Sequence, residues 1–167
     1  MANPAVGLAV SGTWDQTVIF QGTQIGGESW PGSGWSTTGD HLVADLDLTE
    51  YVEFKGSLTD EQLVEAYNSF DIFVLASERE GFGFPILEAQ RCGVPVIIRN
   101  DAHIPPEVSS CCLMACSEED MADKIHGLLT NDKLRQGFVE KGLAYSQQFA
   151  WERTVQETLR VYEEVMA

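Results

Sequence analysis

Apolar residues recur along this chain in two different periods, and the alternation between them divides it into strands and helices. Ile72, Phe73, Val74 and Leu75 form an unbroken apolar run, as do Val96, Ile97 and Ile98. Short runs without polar interruption predict parallel strands covered on both faces. Residues 6–10, 17–20 and 52–54 are further strand candidates. Over residues 61–69 the spacing changes to that of a helix, with Leu63, Ala66 and Tyr67 on one face. Thr59 and Gln62 form a capping box at its start, each able to satisfy the other's backbone donor. Helices are also predicted over residues 41–47, 85–92, 117–130, 132–149 and 151–165. Pro85 suits a first helical turn, and Glu118, Glu119 and Asp120 follow Ser117 at the positive end of another. In the last helix Trp151, Val155, Leu159 and Tyr162 mark a packing stripe. This alternation predicts an α/β fold, a doubly wound, Rossmann-like parallel sheet.

The regular pattern starts near residue 41. Residues 1–40 form an atypical segment, and residues 22–39 are rich in Gly, Ser, Thr and Trp around Trp30-Pro31-Gly32-Ser33-Gly34-Trp35. This composition predicts a loop or unfolded stretch. Its tryptophans cover an apolar surface in the favoured reading and stack on a sugar in the alternative. Residues 41–167 are the regular domain.

Charge narrows the function. With 10 Lys+Arg against 26 Asp+Glu, the 167 residues carry a formal net charge of -16. Nucleic acid and anionic membrane surfaces both need clustered cations, so neither is an expected partner. An anionic substrate has to be held by local dipoles and a few local cations. The start lacks a basic n-region and no apolar run reaches a membrane span, so the expected location is cytoplasmic. Cys92, Cys111, Cys112 and Cys116 do not have zinc-ligand spacing, and His41, His103 and His126 are scattered; no metal site is expected, and the cysteines read as buried free thiols.

The chemistry gathers in one stretch. Glu80 and Glu88 stand eight positions apart, with Gly81, Phe82, Gly83, Phe84 and Pro85 between them at the start of a helix. Gly81 and Gly83 allow positive φ and let a ligand approach the backbone closely. A diphosphate at that turn would meet the free N–H groups and partial positive charge of the helix start without needing a lysine. Glu88 has the character of a carboxylate that accepts from the two hydroxyls of a ribose, as acidic residues do in dinucleotide sites. Glu80 lies on the other side of the phosphate position. As spacing alone, a Gly-x-Gly is weak, and Glu88 can equally be an exposed helix carboxylate.

Together, Glu80-Gly81-Phe82-Gly83 through Glu88-Ala89 and Cys92-Gly93-Val94-Pro95-Val96-Ile97 resemble the E-x7-E signature of the large retaining GT-B glycosyltransferase family, the group 1 glycosyltransferases. The likeness runs from about Leu42 to the C-terminus. It includes Val52-Glu53-Phe54-Lys55-Gly56, Ser77, Ile104-Pro105-Pro106-Glu107-Val108 and Phe149-Ala150-Trp151, in order. The resemblance implies the C-terminal, donor-binding half of a GT-B fold, truncated at its N-terminal side. It implies a hexosyltransferase-type enzyme of polysaccharide or glycolipid synthesis, peripheral at a membrane in some complete forms, that uses a UDP-, GDP- or ADP-linked sugar and no cofactor or metal. Glu80 would contact the transferred sugar as the catalytic residue. Gly81, Phe82, Gly83, Phe84 and Pro85 would face the diphosphate, Glu88 would bind the ribose, and Gly56 and Leu58 would flank the base.

The departures are specific. The family's acceptor-binding domain has no counterpart here, so a missing N-terminal domain or a partner chain is implied, and the isolated chain is expected to be inactive. The family's Arg and Lys that clamp the diphosphate have no match, because residues 1–39 contain neither. This keeps open a second reading, a non-catalytic, decayed transferase domain that acts as an interaction subunit. A receiver-type signalling domain is discounted, since Asp71 precedes its strand.

Overall fold

The computed structural model describes residues 5–9, 17–21, 52–54, 58–77 and 80–166. The strands are β1 (Ala5–Ala9), β2 (Thr17–Gln21), β3 (Val52–Phe54), β4 (Ile72–Leu75), β5 (Val96–Arg99) and β6 (Leu113–Ala115). The helices are α1 (Asp60–Ser69), α2 (Phe84–Arg91), the single turn α3 (Pro106–Ser109), α4 (Glu118–Thr130), α5 (Asp132–Ser146) and α6 (Trp151–Met166). The predicted helix over 41–47 lies outside the described residues.

The strands form one six-stranded sheet in the order β3-β2-β1-β4-β5-β6. Strands β1, β4, β5 and β6 run parallel, with Phe73 beside Val96 and Leu75 beside Ile98 in the central pair. The expected parallel sheet is therefore present, with one exception. Strand β2 runs antiparallel to both its neighbours, β1 and β3. An apolar run has no direction of its own, so its composition does not reveal which way the strand enters the sheet.

Period-2 geometry sorts the strand residues into two cores. Phe73, Leu75, Val96 and Ile98 face Ala66, Tyr67 and Phe70 of the α1 region and Ile86, Leu87 and Ala89 of α2. Ile72, Val74 and Ile97 face Leu128 of α4, with Met121, Ile125 and Phe138 packed against them. All four β4 side chains are buried. Each such burial is worth roughly 1.5–3 kcal/mol, and covering both faces fixes β4 as a central strand. An ion pair between Arg135 and Asp71, 3.1 Å apart, joins α5 to the start of β4.

The long helix expected over 132–149 is divided. Helix α5 ends at Ser146, a 3-10 turn follows over Gln147–Phe149, and Ala150 is extended before α6. The expected packing stripe on α6 is open to solvent: Trp151 is 73% exposed, Val155 55%, Leu159 54% and Tyr162 60%. Helical periodicity shows that a face can be buried; it does not supply the surface that buries it. The cysteines are free, but Cys116 is exposed and the others only half-buried, so the expectation of buried thiols fails at Cys116. Burial pushes the Cys112 thiol up to about 12. No helix among the described residues is long and apolar enough to cross a membrane.

Candidate functional site

The carboxyl end of β4 leads into the Glu80–Glu88 stretch. Ser77, just past the strand, is fully buried, and its hydroxyl has no hydrogen-bond partner among the described residues. The Glu80 N–H donates to the His103 carbonyl at 3.2 Å, which ties this loop to the segment after β5. Glu80 is half-buried at this anchor.

The two turn glycines differ. Gly83 has φ 92° and ψ 42°, the left-handed conformation, and is the residue from which α2 starts. A Cβ there would lie 3.3 Å from Ile86 Cδ1 and 3.4 Å from Val108 Cγ1. Glycine is required at this position by both backbone and space. Gly81 does not take positive φ, and a Cβ there would meet nothing within 4 Å. The local fold alone gives no reason for glycine at this exposed position.

Helix α2 begins without help from side chains. No side chain hydrogen-bonds to its start among the described residues, its first turn holds no acid, and Pro85 occupies that turn. Three other long helices, α1, α4 and α5, start under a capping side chain. Thr59 and Gln62 form the predicted capping box on α1, with bonds of 2.9 and 3.3 Å. Ser117 caps α4 and Asn131 caps α5.

Glu88 lies one turn into α2, beside α1. The Tyr67 hydroxyl donates to Glu88 Oε2 at 3.0 Å. Burial pushes the Tyr67 phenol far above its usual value, with the Glu88 charge adding to the effect, so it remains a donor. The Glu88 residue is exposed as a whole, yet its carboxylate end lies against this buried ring. Desolvation raises its pKa, the Tyr67 hydrogen bond opposes the rise, and the nearby Asp60 charge adds to it. That interaction places the start of α1 close to Glu88, and Leu58, two residues earlier, packs against the adjacent core. Gly56 lies outside the described residues. The partnership of Tyr67 with Glu88 was not expected from sequence, where Tyr67 reads only as part of a buried helix face.

The face of α2 carrying Phe84, Leu87, Glu88 and Arg91 turns toward α6 across a groove of about 850 Å³. Phe82 anchors the end of this groove nearest the turn. Its ring centroid is 5.2 Å from that of Phe84 and 5.9 Å from that of Phe149. The structure thus brings Glu80, Gly81, Phe82, Gly83, Phe84, Pro85 and Glu88 into one region at the carboxyl end of β4, where open α/β sheets bind their ligands.

Comparison with known proteins agrees with this arrangement. Residues 25–144 match the family model for glycosyl transferases group 1. The O-antigen chain mannosyltransferase B of Escherichia coli is 37% identical over 114 residues, 67% of this chain and 30% of that protein. The sucrose-phosphate synthase of Thermosynechococcus elongatus superposes with a TM-score of 0.70 at 24% identity, over 84% of this chain and 37% of that one. The C-terminal domain of a group 1 glycosyl transferase, LpcC, from Francisella tularensis gives 0.59 at 26% identity, over 68% of this chain and 61% of that one. The chain spans about a third of the length of the curated relatives it matches. On the extent of the family match, and with an α/β sheet like that of known glycosyltransferases, the chain belongs to the group 1 glycosyl transferases.

Proposed function

We propose that this chain binds a nucleoside-diphosphate sugar and forms the donor side of a retaining, hexosyltransferase-type glycosyltransferase. The observation that carries the reading is the open start of α2, with the Tyr67-held Glu88 one turn further on. In this reading the diphosphate lies over Gly81, Phe82, Gly83, Phe84 and Pro85. The helix start holds it through N–H groups and dipole, which a chain of net charge -16 needs in place of a broad positive field. Tyr67 occupies only one oxygen of Glu88, leaving the other to accept from ribose hydroxyls. The base lies beside Gly56 and Leu58, close to the Glu88 side of α1.

Glu80 contacts the transferred sugar. As the bond from anomeric carbon to diphosphate breaks, negative charge grows on the leaving oxygen, and the fixed helix start stabilises it more than it does the ground state. The scheme assigns this stabilisation to the protein backbone and calls on no metal or cofactor. The mannosyltransferase relative favours a hexose as the transferred group. The acceptor, a glycan or lipid, meets the donor against a wall supplied from outside these 167 residues by a further domain or a partner chain, and the chain alone transfers nothing.

The second reading, a non-catalytic interaction subunit, is favoured by the exposed apolar face of α6. Thermal unfolding with UDP, GDP and ADP separates the two. Ligand at about 100 times its Kd stabilises a protein by roughly 2.7 kcal/mol. Donor binding predicts that one nucleotide stabilises the wild type and fails to stabilise Glu88→Ala. Stabilisation by none of them leaves the interaction reading.

A further inference from the structure

The Glu88 side chain is held by a single contact, and the residue that makes it has little freedom of its own. Tyr67 lies near the end of α1 and is 4% exposed. Its ring meets Phe73 of β4 edge to face at 5.5 Å and Phe70 at 5.9 Å. Phe70 and Phe73 are themselves stacked, so the phenol stands against a fixed aromatic wall and its hydroxyl has one direction. That hydroxyl donates to Glu88 Oε2 at 3.0 Å. Among the described residues no other hydrogen bond or ion pair holds the Glu88 side chain. A glutamate on an exposed helix position otherwise samples several rotamers, and fixing one of them on a ligand lowers affinity. Tyr67 fixes it before the ligand arrives.

The surroundings of the carboxylate add to the weight of this contact. Desolvation favours the protonated carboxyl, the Tyr67 hydrogen bond favours the carboxylate, and the Asp60 charge on α1 again favours the protonated form. Cys92, just past α2, is held as a thiol by burial and by the Glu88 charge. Across the groove that Glu88 borders, Arg91, Arg153, Glu152 and Glu157 are of mixed sign. The phenol is thus the group that both aims the carboxylate and favours its charged form.

We propose that Tyr67 is a positioning residue for the donor's ribose: by holding Glu88 Oε2 it aims Oε1 at the 2′- and 3′-hydroxyls and makes this chain select ribonucleoside over 2′-deoxyribonucleoside diphosphates. This rests on the donor reading above and adds to it the residue that gives Glu88 its geometry and the substrate distinction that follows. A carboxylate fixed to accept from a hydroxyl is left without that donor by the deoxy analogue, and a site of this kind rejects such an analogue strongly.

The test is calorimetric binding of UDP, GDP and ADP, and of their 2′-deoxy forms, to the wild type and to Tyr67→Phe, across the pH range in which Glu88 titrates. The wild type should prefer the ribonucleotide it binds by about tenfold or more over the 2′-deoxy form. Tyr67→Phe keeps the ring and its packing, and urea unfolding checks that it folds. It should bind that ribonucleotide about tenfold more weakly, since a hydrogen bond to a charged group is worth that much, and should lose most of the preference. Without the phenol the Glu88 pKa rises further, so binding in the variant should set in at higher pH. The Glu88 carboxyl carbon, followed by NMR with no nucleotide present, should titrate at higher pH as well. If Tyr67→Phe keeps the wild-type preference or the wild-type pH midpoint, the inference is overturned while the donor reading stands. An equal loss for the ribo and deoxy forms also overturns it, because Tyr67 would then act on the fold of the site and not on the ribose. A wild type that binds none of the nucleotides overturns the donor reading and this inference with it.

Discussion

Helix α4 starts at Ser117, whose hydroxyl accepts the Asp120 N–H at 3.2 Å, and three acids fill its first turn. Helix α2 starts at Gly83, in a left-handed conformation, with neither a capping side chain nor an acid. Both starts carry a partial positive charge and orphan N–H groups, although at α2 Pro85 has no N–H and the Ile86 N–H donates to the Gly83 carbonyl at 3.1 Å. At α4 the chain satisfies them itself, and the start serves stability. At α2 it leaves the rest open beside a fixed carboxylate, next to a glycine that the fold does not demand. On the proposed donor reading, the uncapped start is the one that meets the ligand.

The contrast can be broken from either side. Gly83→Ala should be the most damaging change, because it forces a side chain into the left-handed region against Ile86 and Val108. We expect a loss of about 2 kcal/mol in urea unfolding, and of nucleotide binding with it. Ser117→Ala removes the α4 cap and should lower stability by about 1 kcal/mol while leaving nucleotide affinity unchanged. If it weakened the nucleotide as well, the two helix starts would not be independent.

Glu88 sharpens the comparison through pH. Its folded pKa is raised, so between the unfolded value near 4.5 and that raised value the folded state holds more protons than the unfolded state. This contribution to stability is fully present below the unfolded value and declines as pH rises through the folded one. Glu88→Gln should therefore gain stability relative to wild type as pH rises across that window, while nucleotide stabilisation of the wild type grows as Glu88 ionises. Parallel unfolding curves for wild type and Glu88→Gln across that range would contradict the assignment. The smallest effect on the fold belongs to Gly81→Ala, within about 0.5 kcal/mol in urea unfolding because its Cβ meets nothing. Its nucleotide affinity should nevertheless fall, since the added methyl occupies the approach to the backbone.

What could be read in the sequence was what local chemistry encodes. The apolar runs gave β4 and β5, Thr59 and Gln62 gave the start of α1, and the spacing of Glu80, the glycines and Glu88 marked the candidate site. Features that depend on the assembled sheet were hidden. Nothing in residues 17–20 says that β2 runs backward. Tyr67 and Glu88 are 21 positions apart and meet only because α1 and α2 pack on one face of the sheet. Gly81 and Gly83 look equivalent in the sequence, and only the left-handed backbone at Gly83 and the positions of Ile86 and Val108 separate a glycine the fold needs from one it does not. Arg91 and Arg153 are more than sixty residues apart, and the Ala150 break places both on one groove.

The claim that α2's start holds the donor diphosphate is tested most directly by following backbone amides during nucleotide titration by NMR. The account predicts the largest shifts at Gly81, Phe82, Gly83 and Phe84, with the Ser117 and Asp120 amides unmoved. Saturable nucleotide binding that left the α2 start unperturbed would contradict it.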